Sequence, residues 1–99
     1  MIVHIVMFKF KDEKKEENII EVSKRLGALV DLIPSLKSME VGIDFSQTDR
    51  AFDLSLYSTF ENKEGLKEYA VHHEHIKVVE LIREVSLESK VVDYIKEGK

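Results

Sequence analysis

Apolar side chains occupy both faces of the first segment, residues 1–11. One alternating set comprises Ile2, Val6, Phe8 and Phe10, and the other comprises Val3, Ile5 and Met7. A half-buried strand alternates apolar with polar residues, so this pattern predicts a β-strand that is covered on both faces. His4 interrupts the strand with a polar ring, which needs a hydrogen-bond partner or a cavity.

The next segment has the pattern of an amphipathic helix. Its apolar residues recur at spacings of three and four, at Ile19, Val22, Leu26, Leu29 and Ile33. Asp12 is the predicted N-cap, and the glutamates after it favour the positive end of the helix dipole. Pro34 ends the helix because the residue before a proline avoids helical backbone angles.

The remaining pattern predicts two strands, two helical pieces and a final strand. The strands cover residues 36–45, 52–60 and 87–95, and Asn62 caps a short helix over 63–70 that precedes a second helix. The order β-α-β-β-α-β indicates one α+β domain over residues 1–99 with a ferredoxin-like fold, a four-stranded antiparallel sheet and helices on one face. Residues 96–99 are predicted to form a frayed tail.

In this fold the face of the sheet without helices is open in a monomer. The first strand is apolar on that face too, so we expect a second copy to cover it in a homodimer. The alternative is that Val3, Ile5 and Met7 are simply half-exposed.

Charge and composition limit the kinds of partner and the cellular compartment that we expect for this chain. The net charge is −4 and no basic stripe is present, so nucleic acid is not an expected partner. The chain has no cysteine, which excludes disulfides and thiolate zinc sites and fits the cytoplasm. The first apolar run is too short to span a membrane and lacks the basic start of a signal peptide.

The candidate chemistry is concentrated in residues 69–75, which hold three of the four histidines. In a helical or turn-like segment Tyr69, His72 and His75 would share one face. A histidine exchanges protons near neutral pH, and a neighbouring phenol can bind an oxyanion, which suits proton abstraction next to a carbonyl. The alternative is structural, with His75 packed against a backbone carbonyl and Tyr69 in the core. Adjacent histidines rarely converge on one ion and zincin spacing is absent, so no metal is expected.

Several short motifs together resemble the stress-responsive α/β-barrel (Dabb) family. They are Val3-His4-Ile5-Val6 with Phe8-Lys9, Ile33-Pro34-Ser35-Leu36 with Val41-Gly42, Tyr69-x-x-His72-x-x-His75, and Val92-Asp93-Tyr94. The resemblance spans nearly the whole chain and implies a homodimeric, ferredoxin-like α/β barrel. One plant polyketide cyclase of this group works without a metal or organic cofactor.

The resemblance also implies roles for individual residues. The catalytic tyrosine and histidine of that cyclase would fall on Tyr69 and His75, and a supporting histidine on His4. Leu54 stands where the cyclase has a further pocket histidine, and His73 stands where the family often has proline.

We therefore predict a pocket between sheet and helices with Tyr69 and His75 as catalytic residues, supported by His4 and His72. Its predicted walls are Phe8, Leu29, Ile33, Leu54, Leu66 and Val79. The favoured function is binding of a small, largely apolar molecule, without a cofactor. The alternatives are a cofactor-free, polyketide-cyclase-like lyase and, by fold analogy alone, a cofactor-free monooxygenase.

Overall fold

The computed structural model describes residues 1–97, in which strands and helices follow the order β-α-β-β-α-α-β. The elements are β1 (Ile2–Phe10), α1 (Lys15–Leu32), β2 (Ser38–Ile43), β3 (Leu54–Phe60), α2 (Lys63–Val71), α3 (His73–Val85) and β4 (Ser86–Ile95). In the predicted frayed tail, the Lys96 N–H donates to the Met1 carbonyl at 2.7 Å. Gly98 and Lys99, which complete that tail, lie outside the described residues.

The four strands form one antiparallel sheet in the order β2-β3-β1-β4, and the predicted ferredoxin-like fold is confirmed. β1 lies between β3 and β4 because its apolar residues fill both faces of an interior strand. In this register His4 faces Ser58 of β3 on one side and Asp93 of β4 on the other.

The core lies between one face of the sheet and the helices. It includes the predicted set from β1 and the predicted stripe of α1, namely Ile2, Val6, Phe8, Phe10, Ile19, Val22, Leu26, Leu29 and Ile33. On the opposite face, the outer face, Val3 is fully buried next to Thr59 and Tyr94, whereas Met7 is 41% exposed. The outer face is therefore only partly covered by the chain itself.

Two local predictions are wrong. Asp12 does not cap α1, because the N-cap is Lys14, which has left-handed backbone angles and makes no side-chain capping bond. The Asp12 carboxylate instead lies 3.6 Å from the Lys15 ammonium. The second strand ends at Ile43, so Phe45 lies beyond it and is 94% exposed.

The edge strand β4 is exposed on both of its faces. The exposed large apolar residues of this strand are Leu87, Val91, Val92, Tyr94 and Ile95. The helices therefore leave this edge of the sheet partly uncovered.

Within residues 1–97, none of the helices is both long and apolar enough to cross a membrane.

Candidate functional site

A break between two helices brings Tyr69 and His75 together. α2 ends at Val71, and His72 is extended with φ −67° and ψ 137°, so Tyr69 and His75 lie on two different helices. Tyr69 lies in the last turn of α2 and His75 in the first turn of α3. Their ring centroids are nevertheless 4.2 Å apart with an interplanar angle of 37°.

His72 makes the break possible by capping the helix that follows. Its Nδ1 atom accepts the N–H of Glu74 at 3.1 Å, and this satisfies one of the free donors at the start of α3. His72 is therefore the N-cap of α3. His73 has a side chain that is 74% exposed and lies 3.3 Å from the Glu74 carboxylate.

The tautomer of neutral His75 follows from its hydrogen bond. Nδ1 lies 3.1 Å from the Ala70 carbonyl oxygen, which can only accept, so Nδ1 carries the proton. The lone pair of neutral His75 is then on Nε2. Burial lowers the pKa of His75, the Ala70 bond opposes this, and the nearby His4 and His72 lower the pKa further. His75 is therefore suited to act as a neutral proton acceptor.

Tyr69 is 1% exposed, and its hydroxyl has no hydrogen-bond partner among residues 1–97. Burial raises the pKa of Tyr69 well above its usual value, so the phenol keeps its proton at neutral pH. Its ring packs on Phe60 with centroids 5.1 Å apart. Tyr69 is therefore a buried phenolic donor for which residues 1–97 supply no acceptor.

His4 reaches the same cluster from the sheet. Its ring centroid lies 6.2 Å from that of Tyr69 and 6.4 Å from that of Phe60. Its Nδ1 atom is hydrogen bonded to the Asp93 carboxylate, which lies directly opposite on β4. Four polar groups are thus connected in space: Asp93, His4, Tyr69 and His75.

Sequence reasoning missed Asp93 as a site residue, although a usable signal exists. Asp93 interrupts the apolar run Val91-Val92-Asp93-Tyr94, just as His4 interrupts the first strand. Two polar interruptions in strands that pair with each other indicate a buried or half-buried polar contact. The register in which these two strands pair was not available from the pattern.

The predicted wall residues are distributed between core and periphery. Phe8, Leu29, Ile33 and Leu54 are buried in the core cluster. Leu66 is half-buried and packs against that cluster, and Val79 is half-buried on α3. Leu54 also borders a cavity of about 340 Å³ near the connection from β2 to β3.

A cavity of about 270 Å³ adjoins the polar cluster between α2 and β4, and we call it the α2–β4 cavity. It is lined by Ile2, Lys63, Leu66, Lys67, Asp93, Tyr94 and Ile95. Tyr69 and His75 do not line it, so the cavity and the cluster meet at Asp93. A larger cavity of about 570 Å³ lies elsewhere, between the start of α1 and the β2–β3 connection.

No three histidine, aspartate or glutamate side chains of residues 1–97 are grouped so that they could hold a metal ion.

Comparisons with known sequences and solved structures point to the same family and the same fold. Residues 2–96 match the family model described as the Stress responsive A/B Barrel Domain. The chain is 33% identical to a stress-response A/B barrel domain-containing protein of Arabidopsis thaliana over 96% of its own length but only 36% of that protein. It is 29% identical to olivetolic acid cyclase of Cannabis sativa over 92% of each chain. A dimeric protein of unknown function and ferredoxin-like fold from Bacteroides fragilis superposes with a TM-score of 0.86 and 30% identity, covering 94% of this chain and 93% of the other.

Proposed function

The chain belongs to the stress-responsive A/B barrel domain family, and on that premise we propose that it forms a homodimer which binds a small, largely apolar molecule beside Tyr69 and His75. The observation that carries this proposal is the buried hydroxyl of Tyr69, which has no hydrogen-bond partner in the described part of the chain. A buried hydroxyl without a hydrogen bond costs about 1–3 kcal/mol, and a bound carbonyl oxygen would remove that cost. A buried polar group that lacks a hydrogen bond is therefore a candidate ligand-binding group.

We propose further that the bound molecule undergoes proton transfer. The Tyr69 hydroxyl would donate to the carbonyl oxygen of the ligand, and Nε2 of His75 would take a proton from the adjacent carbon. The C–H electron pair then forms the double bond of an enolate, whose oxyanion is held by Tyr69. These steps use only side chains of this chain and need no cofactor.

This lyase-type chemistry has more support than the monooxygenase alternative. A donor and a neutral base lie in contact, and a relative with 29% identity is named as a cyclase. Nothing in the polar cluster favours oxygen chemistry specifically, so that alternative rests on fold analogy.

The proposed homodimer uses the outer face of the sheet. Ile5 of β1 lies between Tyr57 of β3 and Val92 of β4 there, and Val92 is 59% exposed. A second copy packed on this face would bury that apolar surface. A similar solved structure is described as dimeric, which supports the same assembly. The lack of cysteine is the basis for proposing a cytoplasmic location.

The proton-transfer proposal can be tested without knowing the natural substrate. A β-keto ester in D₂O exchanges the hydrogens on the carbon between its carbonyls, and proton NMR measures the rate. We expect the protein to accelerate this exchange and His75→Ala to reduce the acceleration by roughly two to four orders of magnitude.

His73→Ala is the matched control, because His73 lies two residues before His75 but is solvent-exposed. It should keep the exchange rate of the wild-type protein. Equal rates for wild type and His75→Ala would sink the proton-transfer role. If His75→Ala unfolds, His75→Gln, which retains a hydrogen-bond donor for Ala70, replaces it in the same assay.

A further inference from the structure

We propose that the α2–β4 cavity binds the apolar part of a molecule whose other end is an anion, and that Lys63 and Lys67 select the anionic end. This inference rests on the proposed small-molecule function, because it names the chemical class that the site accepts. The class is that of an acyl chain or ring carrying a carboxylate.

The cavity itself is apolar. Ile2, Leu66 and Ile95 contribute hydrocarbon to its walls, and its volume of about 270 Å³ suits a short chain or a single ring. Among residues 1–97, Asp93 is the one acidic residue that lines it, and its carboxylate is already hydrogen bonded to His4. A cationic ligand would therefore have to compete with the His4 ring for the Asp93 carboxylate.

The two lysines lie one turn apart on α2, at positions i and i+4, so they share one side of the helix. Both are exposed, and neither ammonium makes an ion pair with any of residues 1–97. Lysine stems can line an apolar surface while the charged heads stay in water. Two unpaired positive charges at the mouth of an apolar cavity favour a ligand that places its negative charge there.

The position of the cavity connects it to the proposed chemistry. Asp93 lines the cavity and bonds to His4, whose ring lies 6.2 Å from that of Tyr69. A molecule in the cavity therefore touches the carboxylate that orients a member of the polar cluster. The lysines would hold the charged end of such a molecule in water, away from the buried Tyr69.

Isothermal titration calorimetry with three ligands of equal chain length tests this inference. Octanoate should bind at least about tenfold more tightly than octan-1-ol, and octylamine should bind most weakly. The double variant Lys63→Gln/Lys67→Gln should remove the difference between octanoate and octan-1-ol. The control Lys24→Gln/Lys37→Gln removes the same charge from exposed positions outside the cavity and should leave the difference intact.

A second pair of variants locates the binding. Ile95→Trp should fill the cavity and abolish octanoate binding. Val91→Trp places the same side chain four residues earlier on the same face of β4, outside the cavity, and should not. Val91 and Ile95 are similarly exposed, at 57% and 55%, so the two substitutions disturb folding to a comparable degree.

The outcomes separate this inference from the proposed function. Equal binding of octanoate and octan-1-ol overturns the charge selection but leaves a small-molecule pocket. Octanoate binding that survives Ile95→Trp overturns the location. If none of the three ligands binds, the inference fails, whereas the proposed function is decided separately by the β-keto ester exchange assay.

Discussion

His4 and Asp93 face each other across two adjacent strands, and a hydrogen bond joins the imidazole to the carboxylate. The two residues are 89 positions apart in the chain. The side chain of His4 is 17% exposed and that of Asp93 is 46% exposed, so the pair lies at the boundary between core and water. This bond fixes the direction of the His4 ring toward Tyr69.

Asp93→Asn should lower the free energy of unfolding by about 1 kcal/mol, because it weakens a charge-assisted bond that solvent partly screens. Urea denaturation measures the change. Glu88→Gln is the control, since Glu88 lies on the same strand and makes an exposed contact with Lys90 at 3.7 Å. That control should change stability by less than about 0.5 kcal/mol. Equal losses of unfolding free energy in the two variants would mean that the His4–Asp93 bond stabilises the fold no more than the exposed Glu88–Lys90 contact does.

Tyr69→Phe should keep or raise the free energy of unfolding, by up to about 1 kcal/mol, because it removes a buried hydroxyl that has no partner among residues 1–97. The same variant should lose the acceleration of β-keto ester exchange. A gain in stability with a loss of activity distinguishes a ligand-binding group from a structural one. Tyr57→Phe, on the outer face, serves as the control and should leave exchange unchanged. A clear loss of stability in Tyr69→Phe would show that the hydroxyl is satisfied in the folded protein.

The buried environment of His75 makes stability depend on pH. Burial lowers its pKa in the folded state, so the unfolded chain binds the proton more readily. The contribution is fully present above the unfolded-state pKa of about 6.5 and is lost as the pH falls toward the lower folded-state value. Wild type should therefore lose more stability between about pH 7.5 and pH 5 than His75→Gln. Thermal denaturation across that range measures the difference.

His73→Gln is the reference for that experiment, because it removes an exposed imidazole two residues away. It should retain the pH dependence of the wild-type protein. If His75→Gln and wild type lose stability in parallel, burial of His75 does not control its protonation.

Ile5→Asp should dissociate the proposed dimer, because it places a charge in the middle of the apolar outer face, between Tyr57 and Val92. We expect the dissociation constant to rise at least about tenfold in sedimentation equilibrium. Ile20→Asp is the control, since Ile20 is 63% exposed on α1, away from that face. A wild-type protein that sediments as a monomer at micromolar concentration would contradict the assembly itself.

The fold was predictable because long, regular patterns determine it. The stripe from Ile19 to Ile33 has only one helical interpretation, and the two apolar faces of β1 require an interior strand. Local capping was less predictable. Asp12 has a suitable side chain, but the backbone turns at Lys14 instead, and side-chain chemistry alone does not report where the chain turns.

The site was predictable only in part. Tyr69 and His75 stand out by chemical type within a few residues, and the structure places their rings in contact. Asp93 was missed because its partner His4 is brought to it by strand pairing over almost the whole length of the chain. The α2–β4 cavity was missed for the same reason, since its walls come from three elements and depend on where the helices leave β4 uncovered.

The pairing of β1 with β4 also sets the order in which the molecule can assemble. Ile2 pairs with Ile95, so this half of the sheet closes a loop that contains almost all of the described chain. Contacts between residues so distant in sequence raise the contact order and slow folding, because chain entropy is lost before the contact is gained. On a ribosome, β1, α1 and the β2–β3 hairpin emerge well before Asp93. His4 therefore has no carboxylate partner until β4 has been synthesised and has paired with β1.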